Sequence, residues 1–494
     1  MANRSERVKN SAKAGGSVIH DPKKRNYVIA ALVIIEFIVI YLSYIETQLG
    51  VAGQWALALI SLFAVGSLIK YLGRFPGWNF FYMVGSRHGI KTIDNISKKH
   101  DGFWSSMPLW GIVLGFGIVA YPLLKGNINK KLYAFGMVSL IAVLLLVLPY
   151  LTVALQFLHI PNLNSTVANS AAAHSSGIDY EGIAFDATSI IFGFAGFVFV
   201  AILYSAANFI AIAITHYSAP IAALGHQAPG VYPVIPGLDM PLVAGICALA
   251  ILLIVHEFSH GVLARKAKVK LKSVGLLLIG VIPMGAFVEP DEKGVEKLSG
   301  LEQTKIFAAG VSSNFILMIV FFALMLGTIL FLLPMIETNE GIYIVSTVQG
   351  YPAYGVLQPG MHVLSWDGHA ITNISTIEAA ASLDHPGSAV TVTTNTGTYN
   401  FTANSHGLIG VSLAQETKFS NGFLGTIIYF LYELFALSFM LNFLVGVVNL
   451  LPLPGFDGWR IYSTNIKNAK FVNFLAALVL IGILLNALPL LAYI

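Results

Sequence analysis

His256, Glu257 and His260 share one short stretch, Ile254-Val-His-Glu-Phe-Ser-His-Gly261. On a helix, imidazoles four residues apart project from one face a turn apart and can grip a single tetrahedral ion such as Zn²⁺. Glu257 then lies beside that ion, where a carboxylate can take a proton from water and pass it to a departing amine. The chemistry this set points to is hydrolysis of an amide. Such a pattern arises by chance in about one chain in a hundred of this composition. The plainer reading is a pair of histidines and an acid satisfied by neighbours in a helix bundle. Ionisable groups are costly in hydrocarbon, however, and mark function by default.

A catalytic zinc takes a third protein ligand and keeps one position open. Asp457, in Asn449-Leu-Leu-Pro-Leu-Pro-Gly-Phe-Asp-Gly458, is the candidate. Pro452, Pro454, Gly455 and Gly458 must break the preceding apolar segment, and an ordinary interfacial turn would look similar. What favours a ligand is depth, because the His pair and the Pro-rich break both fall at the cytosolic ends of their segments.

The elements that carry these residues are set by composition. Of 494 residues, 56% are hydrophobic and 11% charged, against about 25% charged in soluble domains. The bilayer must act as solvent. Apolar stretches long enough to span it recur at Tyr27 to Tyr44, Val51 to Lys70, Pro108 to Leu124, Leu132 to Leu158, Ala187 to Thr215, Pro241 to Ala264, Lys305 to Met335, Gly422 to Leu450 and Phe471 to Leu491. They predict a polytopic α-helical membrane protein of about nine spans. The first apolar run is read as a retained span, with no cleavable signal peptide before it. The single cysteine, Cys247, excludes a disulfide framework and a thiolate metal site. A net charge of +4, dispersed beside spans, points away from nucleic acid.

Lys and Arg dominate the leader 1–26, the segment Lys70 to Phe103 and the cluster Arg265, Lys266, Lys268, Lys270 and Lys272. These sides are expected to be cytosolic, with the N-terminus inside a multi-pass cell-membrane protein. Lys125, Lys130 and Lys131 dissent, which leaves a shallow, non-spanning Trp104 to Leu124 open. Between Ile336 and Glu416 the composition turns to Thr, Ser, Gly and Asn without Lys or Arg, and Ala389 to Thr394 alternates as a strand does. A soluble, mostly β, extracytosolic insert is expected there.

The combination of an intramembrane HExxH with a distant N-x-x-P and D-G pair resembles the site-2 protease family of intramembrane zinc metalloproteases, over roughly Pro241 to the C-terminus. The resemblance implies Zn²⁺ held by His256, His260 and Asp457, with Glu257 as general base and Asn449 positioning the substrate backbone. Phe456 stands where the family has Leu, and the second proline, Pro454, is displaced. Gly275 to Glu289, with Gly285 inside it, resembles the family's membrane-dipping β-hairpin, an edge onto which an unwound substrate could add. Gly310-Val-Ser-Ser-Asn314 fits its GxxxN helix, although small residues at that spacing also serve plain helix packing. Tyr351 to Gly368 resembles the core of PDZ domains, which take peptide ends at a sheet edge; a steric plug is the plainer alternative.

The domains expected are a basic leader (1–26), N-terminal helices (27–240) like those of archaeal members, a first catalytic half (241–335), a PDZ-like domain (336–416) and a second catalytic half (417–494). The implied activity is hydrolysis within transmembrane segments of single-span membrane proteins, as in regulated intramembrane proteolysis. A prenyl-protein-processing type of zinc protease, or a PDZ-bearing membrane receptor or scaffold with a structural or vacant metal site, are the alternatives.

Overall fold

The computed structural model describes residues 21–45, 50–85, 87–160, 180–232, 234–420 and 422–493. Residues 1–20 of the expected leader, and the stretch 161–179, lie outside the described residues. The chain forms two compact units, Met1–Phe322 with Leu434–Ile494, and Ala323–Glu433.

The first unit is helical. Its elements include α1 (Pro22–Ile45), α2 (Gly50–Gly73), α3 (Arg87–Ser97), α4 (Asp101–Phe116), α5 (Lys130–Ala142), α6 (Tyr180–Thr215), α7 (Leu242–Lys266), α8 (Gly300–Gly327), α10 (Phe423–Val448), α11 (Asp457–Asn465) and α12 (Ala469–Asn486); α8 and α10 run on into the second unit. Nine helices among the described residues are long and apolar enough to cross a membrane, α7 being the sixth in order. That fits the polytopic helical protein expected from composition. The doubtful third stretch is one of them, Asp101–Leu123, and its residues Met107 to Phe116 are all buried inside the protein. Its helix breaks at Gly117, at φ 55°. The cause is a tight crossing with a second break, Gly193 in α6 at φ 66°, where a Cβ would lie 2.3 Å from the backbone of Gly115.

This unit also holds a four-stranded antiparallel sheet in the order β1-β2-β3-β4, formed by β1 (Gly77–Trp78), β2 (Phe81–Gly85), β3 (Leu271–Ile279) and β4 (Ile282–Pro290). The hairpin expected around Gly275 to Glu289 is therefore β3 and β4, and it is not isolated. Strand β2, from the connection after α2, pairs with β3 from Phe81↔Ile279 to Gly85↔Gly275. The Tyr82 hydroxyl donates to the Gly280 carbonyl at the hairpin turn, 2.6 Å away. After β2, the short helix α3 places its fully buried Ile93 against Gly261 of α7, and Asp94 pairs with Arg265 at 2.5 Å.

The second unit is a six-stranded sheet in the order β10-β5-β6-β8-β9, with β7 on β6. Its elements are β5 (Glu337–Thr347), β6 (His362–Trp366), β7 (His369–Ala370), α9 (Ile374–Ala381), β8 (Ala389–Thr394), β9 (Gly397–Thr402) and β10 (Val411–Phe419). Alternation drives it: in β8, Val390, Val392 and Thr394 turn inward while their neighbours are partly or fully exposed. Val390 and Val392 meet Ile342, Ile344, Val363, Trp366 and Ile377 in one apolar core. Helix α9 starts at a capping box in which Asn373 Oδ1 accepts from the Thr376 amide at 2.9 Å. The sheet extends to Phe419, a little past the boundary at Glu416 expected from composition.

Candidate metal centre

Helix α7 presents His256 and His260 on one face, as their spacing requires. The Pro-rich break after α10 returns the chain toward them. Its turn is closed by the Gly458 amide donating to the Asn449 carbonyl at 2.7 Å, which sets Asp457 as the first residue of α11. A carboxylate there is favoured by the helix dipole.

Three atoms converge. The Nε2 atoms of His256 and His260 are 3.3 Å apart, and each is 3.2 Å from Asp457 Oδ2. Ligand atoms about 2.0–2.1 Å from a tetrahedral zinc stand about 3.3 Å apart along each edge, so this triangle fits one zinc ion with a fourth corner free. The donor set, two imidazoles and a carboxylate, suits zinc as well. Burial pushes the Asp457 carboxyl up, but the His260 and His256 rings outweigh it and hold it well below the usual carboxylate range. Asp457 is thus a ready anionic ligand.

Other contacts fix the ligands. His260 Nδ1 lies 2.7 Å from the Ile306 carbonyl, which orients the ring and leaves Nε2 free for a metal. His256 Nδ1 is buried with no partner among the described residues. Gly310 of α8 abuts both rings: a Cβ there would lie 2.4 Å from His260 Nε2 and 2.5 Å from His256 Nε2. Only glycine lets α8 pass so close.

Glu257, half-buried, accepts from the Val288 amide of β4 at 3.3 Å. This ties the carboxylate beside the cluster to the hairpin. Asn449 reaches the Asp457 turn through its backbone carbonyl. Asn314 is fully buried one turn beyond Gly310, and neither its Oδ1 nor its Nδ2 has a partner. Gly285 pairs with Leu277 across the hairpin and is not part of the cluster. Sequence reasoning missed the Val288 contact and the role of Gly310 against the rings. The first needs the strand's place in space; the second was foreshadowed by a glycine in the GxxxN pattern.

Residues 244–485 match the model of peptidase family M50. An uncharacterised protein of Methanocaldococcus jannaschii is 27% identical over 245 residues, 47% of this chain and 60% of that protein. The membrane-bound transcription factor site-2 protease homolog of Arabidopsis thaliana is 27% identical over 132 residues, 26% of this chain and 25% of that protein. This chain thus spans less than two thirds of the length of either relative. The matched residues, just under half of the chain, contain His256, Glu257, His260 and Asp457, and over them this chain is similar to peptidase family M50, the site-2 protease family.

Proposed function

We propose that this protein is an intramembrane zinc metalloprotease of the site-2 type, hydrolysing peptide bonds in transmembrane segments of single-span membrane proteins, with regulated intramembrane proteolysis as its output. The reading is carried by the 3.2–3.3 Å triangle of His256 Nε2, His260 Nε2 and Asp457 Oδ2 beside Glu257. These three would hold a zinc ion. When bound, zinc is a Lewis acid that brings the pKa of water to about 7. Glu257 is the base that takes a proton from water and delivers it to the leaving amine.

A substrate helix has its amides bonded internally and must unwind before a carbonyl is accessible. Strand β4 supports a place for it. The far side of β3 is occupied by β2, while an outward amide of β4, that of Val288, points at Glu257. A chain added along β4 past Gly285 therefore runs beside the base. Asn449 and Asn314 hold the unwound backbone. The β unit acts as the PDZ-like domain and takes peptide ends. Basic residues after α7, and their lack over 336–416, support a cell-membrane protein with a cytosolic N-terminus and an extracytosolic β unit.

The test is metal analysis of the purified full chain with cleavage of a model transmembrane substrate. Wild type should carry one zinc; His256→Ala and Asp457→Ala should carry none. Glu257→Gln should keep zinc and lose about 10²–10⁴-fold in cleavage rate. Zinc retained in both ligand variants, or unchanged cleavage by Glu257→Gln, overturns the reading and returns the chain to a receptor or scaffold.

A further inference from the structure

Like Asn314, Ser438 and Asn442 of α10 are fully buried polar side chains of the helical unit. The Asn442 amide nitrogen donates to the Ser438 carbonyl one turn back at 2.7 Å, but Asn442 Oδ1 and Ser438 Oγ have no partner, and both polar atoms of Asn314 are likewise unmet. Neighbouring hydroxyls behave differently. Ser312 donates to the Ala308 carbonyl at 2.6 Å and Ser313 to the Gly310 carbonyl at 2.7 Å, so these hydroxyls of α8 find partners within their own helix.

The three side chains lie in one place. Phe315 and Phe443, each following one of the asparagines, both meet Phe194 edge to face, with ring centroids 5.6 and 5.3 Å from it. Asn314 and Asn442 are thus each next in sequence to a ring that meets Phe194. A Cβ at Gly446, one turn along α10 from Asn442, would lie 3.3 Å from Asn314 Cβ. Ser438, Asn442 and Gly446 recur every four residues and so share one face of α10. On α8, Asn314 is one turn from Gly310, which abuts both metal-site rings. The polar line runs from Ser438 through Asn442 and Asn314 to the histidines.

A buried amide or hydroxyl without a partner costs about 1–3 kcal/mol, and groups of this kind are met by ordered water making about three hydrogen bonds. The set is neutral and offers donors (Asn314 Nδ2, Ser438 Oγ) beside acceptors (the Oδ1 atoms and Ser438 Oγ). That matches water, which both gives and accepts, rather than an ion. We propose that Asn314, Asn442 and Ser438 form a buried hydration site that keeps water beside the metal cluster, between α8 and α10, as a reserve for hydrolysis. The last clause rests on the protease reading; the hydration site itself does not.

X-ray hydroxyl-radical labelling of the full chain in lipid nanodiscs, read by mass spectrometry, tests it, because radicals formed from trapped water mark the rings next to it. Phe315 and Phe443, 0% and 4% exposed, should be labelled, while Leu252 and Leu140, both 0% exposed, stay unmodified. Ser438→Ala, which removes one hydroxyl, should lower labelling at both rings. Asn442→Leu with Ser438→Ala should bring it to background with zinc still bound, and should lower kcat at unchanged KM. Unlabelled rings in the wild type, or labelling that survives the double substitution, overturn the site. Lost labelling with unchanged kcat overturns its role as reserve. Since labelling needs no proteolysis, its outcome is separate from that of the Glu257→Gln test.

Discussion

The two units treat buried polar groups in opposite ways. In the β unit they are paired: the Trp366 indole donates to Asp384 at 2.9 Å, Thr394 Oγ1 meets Thr396 Oγ1 at 2.8 Å, and Thr328 donates to the Leu324 carbonyl at 2.9 Å. Among its described residues, no buried side-chain nitrogen or oxygen lacks a partner. In the helical unit, His256 Nδ1, both polar atoms of Asn314, Asn442 Oδ1, Ser438 Oγ and Asp457 Oδ2 are all buried without a hydrogen bond. A fold optimised only for stability would not leave them so. Arg25, Glu36, Ser67 and Ser189 of the same unit also carry unmet polar atoms, so the helical unit leaves buried polar groups open to other partners where the β unit pairs its own.

This contrast can be broken most severely at Gly310. Gly310→Ala puts a methyl group within 2.4–2.5 Å of both Nε2 atoms, although alanine is the better helix former by about 1 kcal/mol. The expected result is total loss of zinc with the helices intact, measured by metal content and circular dichroism. Next in size is Trp366→Ala in the β unit, which removes a ring only 3% exposed and should cost about 3–5 kcal/mol. Hydrogen exchange at Val390 and Val392 should rise sharply while zinc stays at one per chain. If zinc fell with it, the independence of the two regions would be wrong.

The smallest effect sharpens the contrast by pH. Burial, aided by Asp367 beside it, pushes the Asp384 carboxyl up despite the Trp366 indole. An acid raised in the folded state stabilises fully below its unfolded value of about 3.9 and loses that contribution as pH rises through its folded value. The β unit should therefore soften modestly as pH climbs above about 4, and Asp384→Asn should flatten the trend in exchange-monitored melts. A slope of opposite sign would remove Asp384 as its source.

Legibility followed the range of the physics. Apolar length alone gave the helices, since each must cross a fixed thickness, and two-residue alternation gave strand β8. The His256–His260 face follows from helical periodicity, a local property. Asp457 needed a further argument, because two segments about two hundred residues apart meet only when α7, α10 and α11 pack; the Pro-rich break was the one local clue. The contact of Val288 with Glu257 and the pairing of β2 with β3 left no local trace. Phe81–Gly85 is short, lies in a basic connection, and becomes a strand only because β3 offers it an edge. Asn442 was invisible for a related reason, as one polar residue in an apolar span looks like tolerance until its oxygen is found without a partner.

That borrowed edge bears on how the protein could be shortened. The family match begins at residue 244, yet β2 and α3 lie well before it. A chain trimmed to the matched stretch would uncover the amides and carbonyls of Leu276–Ile279 and remove the Ile93 wedge beneath Gly261. Raw strand borders invite pairing with other molecules, so such a fragment should clump in detergent rather than behave as a minimal enzyme. The N-terminal segment is then as much a guard against self-association as a membrane anchor.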